Sequence, residues 1–288
     1  MWWALLVFLH GASADFVVLG DWGGHMGTQH QRRVAAVLAS VNPEFIINTG
    51  DSFYPHGIAN ASDPAIDRLW SQIYMPSRPW LSVLGNHDYL HNASAQLAIP
   101  HPSWHMPARY YKWSSNDTDF WFLDTTPWMP FNYVEVHQAR RGGLSDATRA
   151  DFEAQRQQVP EQIAWLRASV AKSTATRKFL VGHHPLWTCG YHRYANHSRL
   201  QAVVLDLHRR YGFDGYLCGH DHSLQHIRRE GLDEYLSGAG SSSFEVFTGP
   251  GLLYKSTTED HGLVVVHDNR SVTYLDAYGR VLYRTQLQ

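Results

Sequence analysis

Five segments of the sequence each place a glycine directly before a side chain that can bind a metal ion. They are Leu19-Gly20-Asp21, Thr49-Gly50-Asp51, Leu84-Gly85-Asn86-His87-Asp88, Val181-Gly182-His183-His184 and Cys218-Gly219-His220-Asp221-His222. Each follows a short apolar run typical of a buried strand. Ligands of open α/β sheets bind beyond the carboxyl ends of the strands, so these side chains are expected to meet in one crevice. Asp after Gly is often only a turn residue, but five such segments in one chain indicate a metal site.

Alternating strands and helices are predicted to position these turns. Buried strands are expected at residues 16–19, 45–47, 81–84, 120–123, 179–181 and 216–217. Apolar residues at helical spacing mark one helix through Val34, Val37, Leu38 and Val41 and another through Leu200, Val203, Val204 and Leu207. Ile163, Leu166 and Val170 indicate a third helix, which Pro160 is expected to begin.

Two stretches depart from this alternation. Residues 262–267, 272–276 and 281–283 are short apolar runs separated by turn residues, and they predict an antiparallel meander at the end of the chain. Residues 127–160 are polar and weakly periodic, and they predict a long surface loop with one short helix at most.

The composition describes a folded chain without a nucleic-acid signature. Of the 288 residues 44% are hydrophobic, which excludes disordered, collagen-like and coiled-coil proteins. Lys and Arg number 24 against 26 Asp and Glu, so no basic surface for nucleic acid or anionic membrane is predicted. The 19 histidines are unusual, and histidine is the commonest metal ligand.

The amino terminus predicts entry into the secretory pathway. Residues 2–9 are apolar and too short to span a bilayer, and Ala12-Ser13-Ala14 resembles a signal-peptidase site, which predicts a signal peptide over residues 1–14. Five N-x-[S/T] sequons support a glycoprotein, secreted or lysosomal; their asparagines are Asn60, Asn92, Asn116, Asn196 and Asn269. The only cysteines, Cys189 and Cys218, could form one bridge, although a buried thiol is the preferred interpretation for Cys218.

Taken together, the five segments resemble the motifs of the calcineurin-like metallophosphoesterases. More narrowly, GDWGG at 20–24, GDSFY at 50–54, GNHDYLHNASAQ at 85–96, VGHHPLW at 181–187 and YLCGHDHSLQ at 216–225 are similar to the low-molecular-weight purple acid phosphatases of the tartrate-resistant type. The similarity continues through LSGAG at 236–240 to the last strands. It implies one catalytic domain over residues 15–288, an α/β four-layer sandwich in which helices flank two mixed β-sheets and antiparallel strands close the chain.

The purple subfamily is favoured by the chemistry of two positions. Most relatives carry Asp-x-His in the first motif, whereas Asp21 is followed here by Trp22 and Gly23. Tyr54 offers a phenolate instead, a hard oxygen ligand that suits trivalent iron. His25 has the wrong spacing to replace the missing imidazole, and it is interpreted as an ordinary loop residue.

The resemblance implies a dinuclear centre of Fe(III) and a divalent ion, which could be Fe(II), Zn(II) or Mn(II). The ferric ligands carried over from the family are Asp21, Asp51, Tyr54 and His222. Those of the divalent ion are Asn86, His183 and His220, with Asp51 bridging the two ions.

Further histidines surround these positions. His87 matches the family's histidine that contacts phosphate and assists the leaving group. His192 aligns less closely with another active-site histidine, because the family's preceding acidic residue is Tyr191 here. Either His87 or His192 could therefore supply the proton to the leaving group. His184 stands where relatives often carry an aromatic residue, and packing is its expected role.

The implied activity is an acid phosphatase, in which metal-bound hydroxide attacks a phosphate monoester in line. A phosphodiesterase on the same fold and a non-catalytic iron-binding protein remain alternatives. The expected partner is the phosphate monoester alone, with no nucleic acid and no membrane span, and the protein is expected to be a monomer. Residues 127–160 lie where the tartrate-resistant type carries a repressive loop, so release of autoinhibition by cleavage is a further hypothesis.

Overall fold

A computed structural model of the protein describes residues 16–25, 27–130 and 145–288. The predicted signal peptide and the central part of the predicted lid loop lie outside these residues. The described chain forms two seven-stranded sheets with helices on their outer faces.

The first sheet holds the amino-terminal strands and the carboxyl-terminal meander. Its strands are β1 (Phe16–Leu19), β2 (Phe45–Asn48), β3 (Trp80–Ser82), β4 (Trp104–His105), β12 (Gly262–Val266), β13 (Ser271–Asp276) and β14 (Val281–Gln286). Their spatial order is β14-β13-β12-β1-β2-β3-β4. β1 to β4 are parallel, whereas β12 to β14 pair antiparallel as the turn residues predicted.

The second sheet is built from the middle of the chain. Its strands are β5 (Tyr111–Ser115), β6 (Thr118–Phe122), β7 (Arg177–Val181), β8 (Gly215–Cys218), β9 (Leu224–Arg229), β10 (Leu232–Ser237) and β11 (Leu252–Lys255). Their spatial order is β11-β9-β10-β8-β7-β6-β5. The strands β6, β7, β8 and β10 run parallel, and hairpins close both edges.

Helices cover the outer face of each sheet. They are α1 (Gln29–Val41), α2 (Pro64–Ile66), a π turn (Asp67–Ser71), α3 (Gln72–Tyr74), α4 (Asp146–Ala171) and α5 (Ser198–Tyr211), with 3₁₀ turns at Asp88–Leu90, Ala93–Ala98 and Thr126–Trp128. Successive strand residues point to opposite faces, so Val18 and Ile47 pack between the sheets while Val17 and Ile46 pack under α1. A third apolar cluster joins the second sheet to α4 and α5. These layers confirm the expected four-layer sandwich.

The helix predicted to begin at Pro160 is longer than expected. α4 begins at Asp146, where Ser145 accepts a hydrogen bond from the backbone N–H of Thr148 and so caps the helix. Pro160 lies inside this helix rather than at its start. Residues 146–160 are therefore helical, which corrects the prediction of a loop over 127–160, and residues 131–144 lie outside the described part.

Three further predictions, on the sequons, the cysteines and a membrane span, can be compared with the structure. The asparagines of all five sequons are exposed. Cys189 and Cys218 are both buried free thiols, in agreement with the preferred interpretation of Cys218. Among the described residues, no helix combines the length and the apolar character needed to cross a membrane.

Candidate metal centre

All five glycine turns lie at the same edge of the molecule, beyond the carboxyl ends of their strands. Three of the residues that directly follow these glycines adopt the left-handed conformation, with φ of 57° at Asp21, 52° at Asp51 and 69° at His220. This conformation costs roughly 1–2 kcal/mol per residue outside glycine. It is retained where the surrounding structure requires it, and functional sites are the commonest such places.

Close approach explains the glycines better than freedom of φ does. A Cβ atom on Gly20 would lie 2.1 Å from Thr49 Oγ1, and one on Gly219 would lie 2.4 Å from Asp21 Oδ2. A Cβ atom on Gly85 would lie 2.1 Å from Asp51 Oδ1. Of these turns, only the one at Gly50 also needs a positive φ at its glycine, +94°. The missing side chains therefore let the two sheets bring their turns into contact.

One set of donor atoms surrounds the Tyr54 hydroxyl. That oxygen lies 2.9 Å from Asp21 Oδ1, 2.9 Å from Asp51 Oδ2 and 3.0 Å from His222 Nε2. His222 Nε2 also lies 3.4 Å from Asp21 Oδ1. All four side chains are buried, so these atoms form a compact, mostly oxygen-bearing group.

A second set surrounds His183. Its Nε2 atom lies 3.1 Å from Asn86 Oδ1, 3.1 Å from His220 Nδ1 and 3.4 Å from Asp51 Oδ2. The same Asp51 oxygen therefore belongs to both sets. The other oxygen of Asp51 accepts the backbone N–H of His87 at 2.8 Å, which fixes the carboxylate between the two groups.

These spacings fit two metal ions. An ion bonded at about 2.1 Å to two donors at right angles holds them about 3 Å apart, as the donors in both sets are held.

Hydrogen bonds at the second ring nitrogen also orient His183 and His222 for metal binding. His183 Nδ1–H donates to the carbonyl of Thr49 at 2.8 Å, and His222 Nδ1 contacts the Ser242 hydroxyl. Metal-binding histidines are held in this way by their second nitrogen.

The electrostatics of the first set also favour a cation. Burial and the carboxylates of Asp21 and Asp51 raise the pKa of Tyr54 well above its usual value. Burial alone would raise the pKa of Asp51 too, but the neighbouring His183 and His87 hold it well below its usual range. Buried anionic donors at such distances are stable only beside compensating positive charge.

The imidazoles of the second set are shifted in opposite directions. Burial disfavours protonated His183, yet the carboxylate of Asp51 outweighs it and raises the pKa of His183 to about 9. Burial, together with the nearby His192 and His184, lowers the pKa of His220 well below its usual value. Asp51 thus favours positive charge at His183 Nε2, which a proton or a bound metal ion can supply, whereas His220 stays neutral and can offer a lone pair.

The remaining candidate residues lie around the donors. His87 Nδ1–H donates to the carbonyl of Pro55 at 2.8 Å, and its ring centre lies 4.5 Å from that of Tyr54. The ring of His192 lies over His220 with centres 4.1 Å apart. His184 is fully buried against Thr125, in keeping with a packing role.

Two residues near the site were not assigned from the sequence. Asp88 accepts the backbone N–H groups of Gly85, Asp51 and Ser52 at 2.8, 3.0 and 3.2 Å, so it joins two of the turns. Its place in the third of the five segments, directly after His87, was a signal that could have found it. His25, interpreted as an ordinary loop residue, packs edge-on against Tyr54 and His222, with ring centres 4.8 and 4.7 Å away. No spacing rule could have indicated that contact.

Comparison with known proteins agrees with this fold. The family model for calcineurin-like phosphoesterases matches residues 14–224, and the chain belongs to that family. Purple acid phosphatase 7 of Arabidopsis thaliana is 32% identical over 293 residues, which cover 96% of this chain and 86% of that protein. Tartrate-resistant acid phosphatase type 5 of Oryctolagus cuniculus is 28% identical over 331 residues, covering 99% and 97%.

These relatives place the chain among the purple acid phosphatases, as its five motifs predicted. The predicted class of enzyme, acid phosphatase, is confirmed at the level of the family. A solved structure described as "GAP50 the anchor in the inner membrane complex of Plasmodium" aligns with a TM-score of 0.71 at 24% identity. That alignment covers 95% of this chain and 88% of the other, and it shows the shared fold alone.

Proposed function

We propose that this protein hydrolyses phosphate monoesters at acidic pH, using a dinuclear centre of Fe(III) and a divalent ion. The observation that carries the proposal is the pair of donor sets that share Asp51 Oδ2. The proposed ligands are Asp21, Asp51, Tyr54 and His222 for iron, and Asp51, Asn86, His183 and His220 for the divalent ion.

The donor types support this assignment. Two carboxylates and a phenol in the first set provide the hard anionic oxygens that a trivalent ion prefers. The second set adds only an amide and two imidazoles to the shared carboxylate, which suits Fe(II), Zn(II) or Mn(II). Ions bound there would activate water and neutralise the charge of the phosphate group, which makes hydrolysis possible at low pH.

His87 is proposed to assist departure of the alcohol. Its Nδ1–H is engaged by the carbonyl of Pro55, so a proton for the leaving oxygen would come from Nε2. Its backbone N–H holds Asp51, which keeps the ring beside the donor sets. His192, whose ring lies against that of His220 at an angle of 34°, is the second candidate for this proton transfer.

Entry into the secretory pathway, followed by secretion or delivery to lysosomes, is part of the proposal. It is supported by the apolar segment at residues 2–9 and by the exposure of all five sequon asparagines. An acidic compartment would also protonate many of the 19 histidines and make a chain of formal charge −2 cationic, which favours anionic substrates.

Turnover of matched esters tests this function. Purified, metal-loaded protein is assayed at pH 5 with phenyl phosphate and with diphenyl phosphate, whose leaving groups are the same. The proposal expects hydrolysis of the monoester to be much faster. A preference for the diester would establish the phosphodiesterase alternative instead, and a metal-loaded protein inert to both would establish the non-catalytic one.

A further inference from the structure

The ring of His25 lies beside the donors of the first set. Its centre is 4.8 Å from that of Tyr54, 4.7 Å from that of His222 and 6.2 Å from that of His87. Phe244, which stacks on His222 with centres 4.9 Å apart, adjoins it at 6.0 Å. His25 is half-buried, so its ring borders both the donors and the solvent.

The backbone fixes His25 in this position. Its N–H donates to the Ser241 hydroxyl at 3.3 Å, and that hydroxyl donates to the carbonyl of Asp21 at 2.7 Å. Two residues before it, Gly23 packs so tightly on Ser52 that a Cβ atom would lie 2.0 Å from the Ser52 carbonyl oxygen. The segment that carries His25 is therefore tied to the donor Asp21 and to the turn of Tyr54.

The separation between His25 and His87 suits a single phosphate group. A phosphate that accepts hydrogen bonds of about 2.7–3.2 Å from two rings holds their nitrogens on the order of 5–8 Å apart. The ring centres lie 6.2 Å apart at an interplanar angle of 79°, a separation compatible with nitrogens in that range. A neutral imidazole carries an N–H on one of its two nitrogens, so His25 can donate to a phosphate oxygen when that nitrogen faces the site.

We propose that His25 contacts the phosphate group of the substrate by an N–H hydrogen bond, on the Tyr54 side of the site and across from His87. This inference rests on the proposed function and adds a phosphate-binding residue to it. A different role, packing against Tyr54 and His222 alone, would need the ring but not its N–H group, and that difference allows a test.

The test measures the Kd of inorganic phosphate for metal-loaded protein by titration calorimetry, with metal content determined for every variant. His25→Phe keeps an aromatic ring and removes the donor, so it is expected to weaken phosphate binding roughly tenfold. His25→Gln restores an N–H donor and is expected to recover most of the affinity. His30→Phe is the matched control, since His30 stacks on His261 and not on a donor, and it is expected to bind as the wild type does.

Three results would overturn the inference. If His25→Phe binds phosphate like the wild type while the wild type hydrolyses monoesters, His25 packs only and the proposed function stands. If His25→Phe loses metal, His25 supports the donors rather than the substrate. A wild type that neither binds phosphate nor hydrolyses esters would overturn the proposed function together with this inference, and it would be recognised before any variant is compared.

Discussion

The two sheets contribute different atoms to the donor cluster. The turns after β1, β2 and β3 carry the oxygen donors Asp21, Asp51, Tyr54 and Asn86. The turns after β7 and β8 carry the imidazoles of His183, His220 and His222. Each sheet alone thus offers either oxygen donors or imidazole nitrogens, and the mixed sets arise only where the sheets pack together.

Both halves hold their turns with buried carboxylates that are not donors themselves. On the oxygen side, Asp88 accepts three backbone N–H groups, and burial and the charge of Asp51 raise its pKa to about 7. On the nitrogen side, Glu234 of β10 accepts the N–H groups of Leu186 and Trp187. Asp221 likewise accepts the N–H of Tyr191 and the Thr188 hydroxyl. The two halves therefore differ in donor chemistry, but both hold their turns with buried carboxylates that accept backbone N–H groups.

The largest effect is expected where the two halves share an atom. Asp51→Asn replaces the carboxylate whose oxygen belongs to both donor sets, so metal content should fall and kcat/KM should drop roughly a thousandfold or more. Metal analysis and phenyl phosphate turnover measure this. Asp67→Asn, at an exposed carboxylate in the π turn, is the control. Full metal content in Asp51→Asn would contradict the shared role.

A smaller loss of activity is expected when a substitution changes only the first donor set. Tyr54→Phe removes the phenol from the first set and leaves the second set intact. The visible tyrosinate-to-iron absorption should disappear and turnover should fall by about 10–100-fold. Absorption spectra of both proteins show the result, with Tyr194→Phe as the control because Tyr194 is 85% exposed. A band that persists in Tyr54→Phe would exclude this tyrosine as an iron ligand.

His87→Ala should affect chemistry without removing a donor from either set. The turnover of alkyl phosphates, whose leaving groups need a proton, should fall by about a hundredfold or more, and that of nitrophenyl phosphate much less. Steady-state kinetics with both esters give the ratio. His91→Ala changes an exposed histidine of the same segment and should leave the ratio unaltered. Equal losses with both esters would argue against proton donation by His87.

The smallest effect concerns stability on the nitrogen side. Burial raises the pKa of Glu234 to about 8 from an ordinary 4.5, so the folded protein keeps this proton where the unfolded chain has lost it. The stability linked to this group is fully present below pH 4.5 and is lost as the pH rises through 8. Gln cannot ionise, so the Tm of Glu234→Gln should match that of the wild type at pH 5 and exceed it at pH 9 by on the order of 5 °C.

Thermal unfolding of both proteins across this range measures the difference. Glu230→Gln is the control, because Glu230 is exposed and pairs only with Arg209 among the described contacts. A Tm difference that does not change with pH would show that Glu234 does not retain its proton in the folded state. Activity at pH 5 should be unchanged in Glu234→Gln, because the residue holds a turn and offers no donor.

The sequence predicted those strands and helices that a pattern of neighbouring residues defines. Alternating apolar residues defined β1 and β2, and helical spacing defined α1 and α5, because burial on a known face leaves a periodic pattern. The five turns could also be predicted from the sequence, because in each of them the glycine directly precedes a donor residue. The beginning of α4 was not predicted, because Pro160 favours a helix that starts at the proline. The helix is instead capped by Ser145, fifteen positions earlier.

The contacts of the site could be predicted only where a motif carries them. That Asp51 Oδ2 lies in both donor sets depends on how the two sheets pack, and the resemblance rather than the spacing indicated it. The position of His25 depends on how residues 20–25 fold over Tyr54. Such contacts join residues far apart in the chain, and hydrophobic periodicity contains no information about them.

The metal content of the purified protein tests the central claim most directly. If the donors from the two sheets form two sites that share Asp51, elemental analysis should find two metal ions per chain, one of them iron. A protein that binds a single ion, or that holds zinc or manganese without iron, would contradict the proposed Fe(III)–M(II) centre.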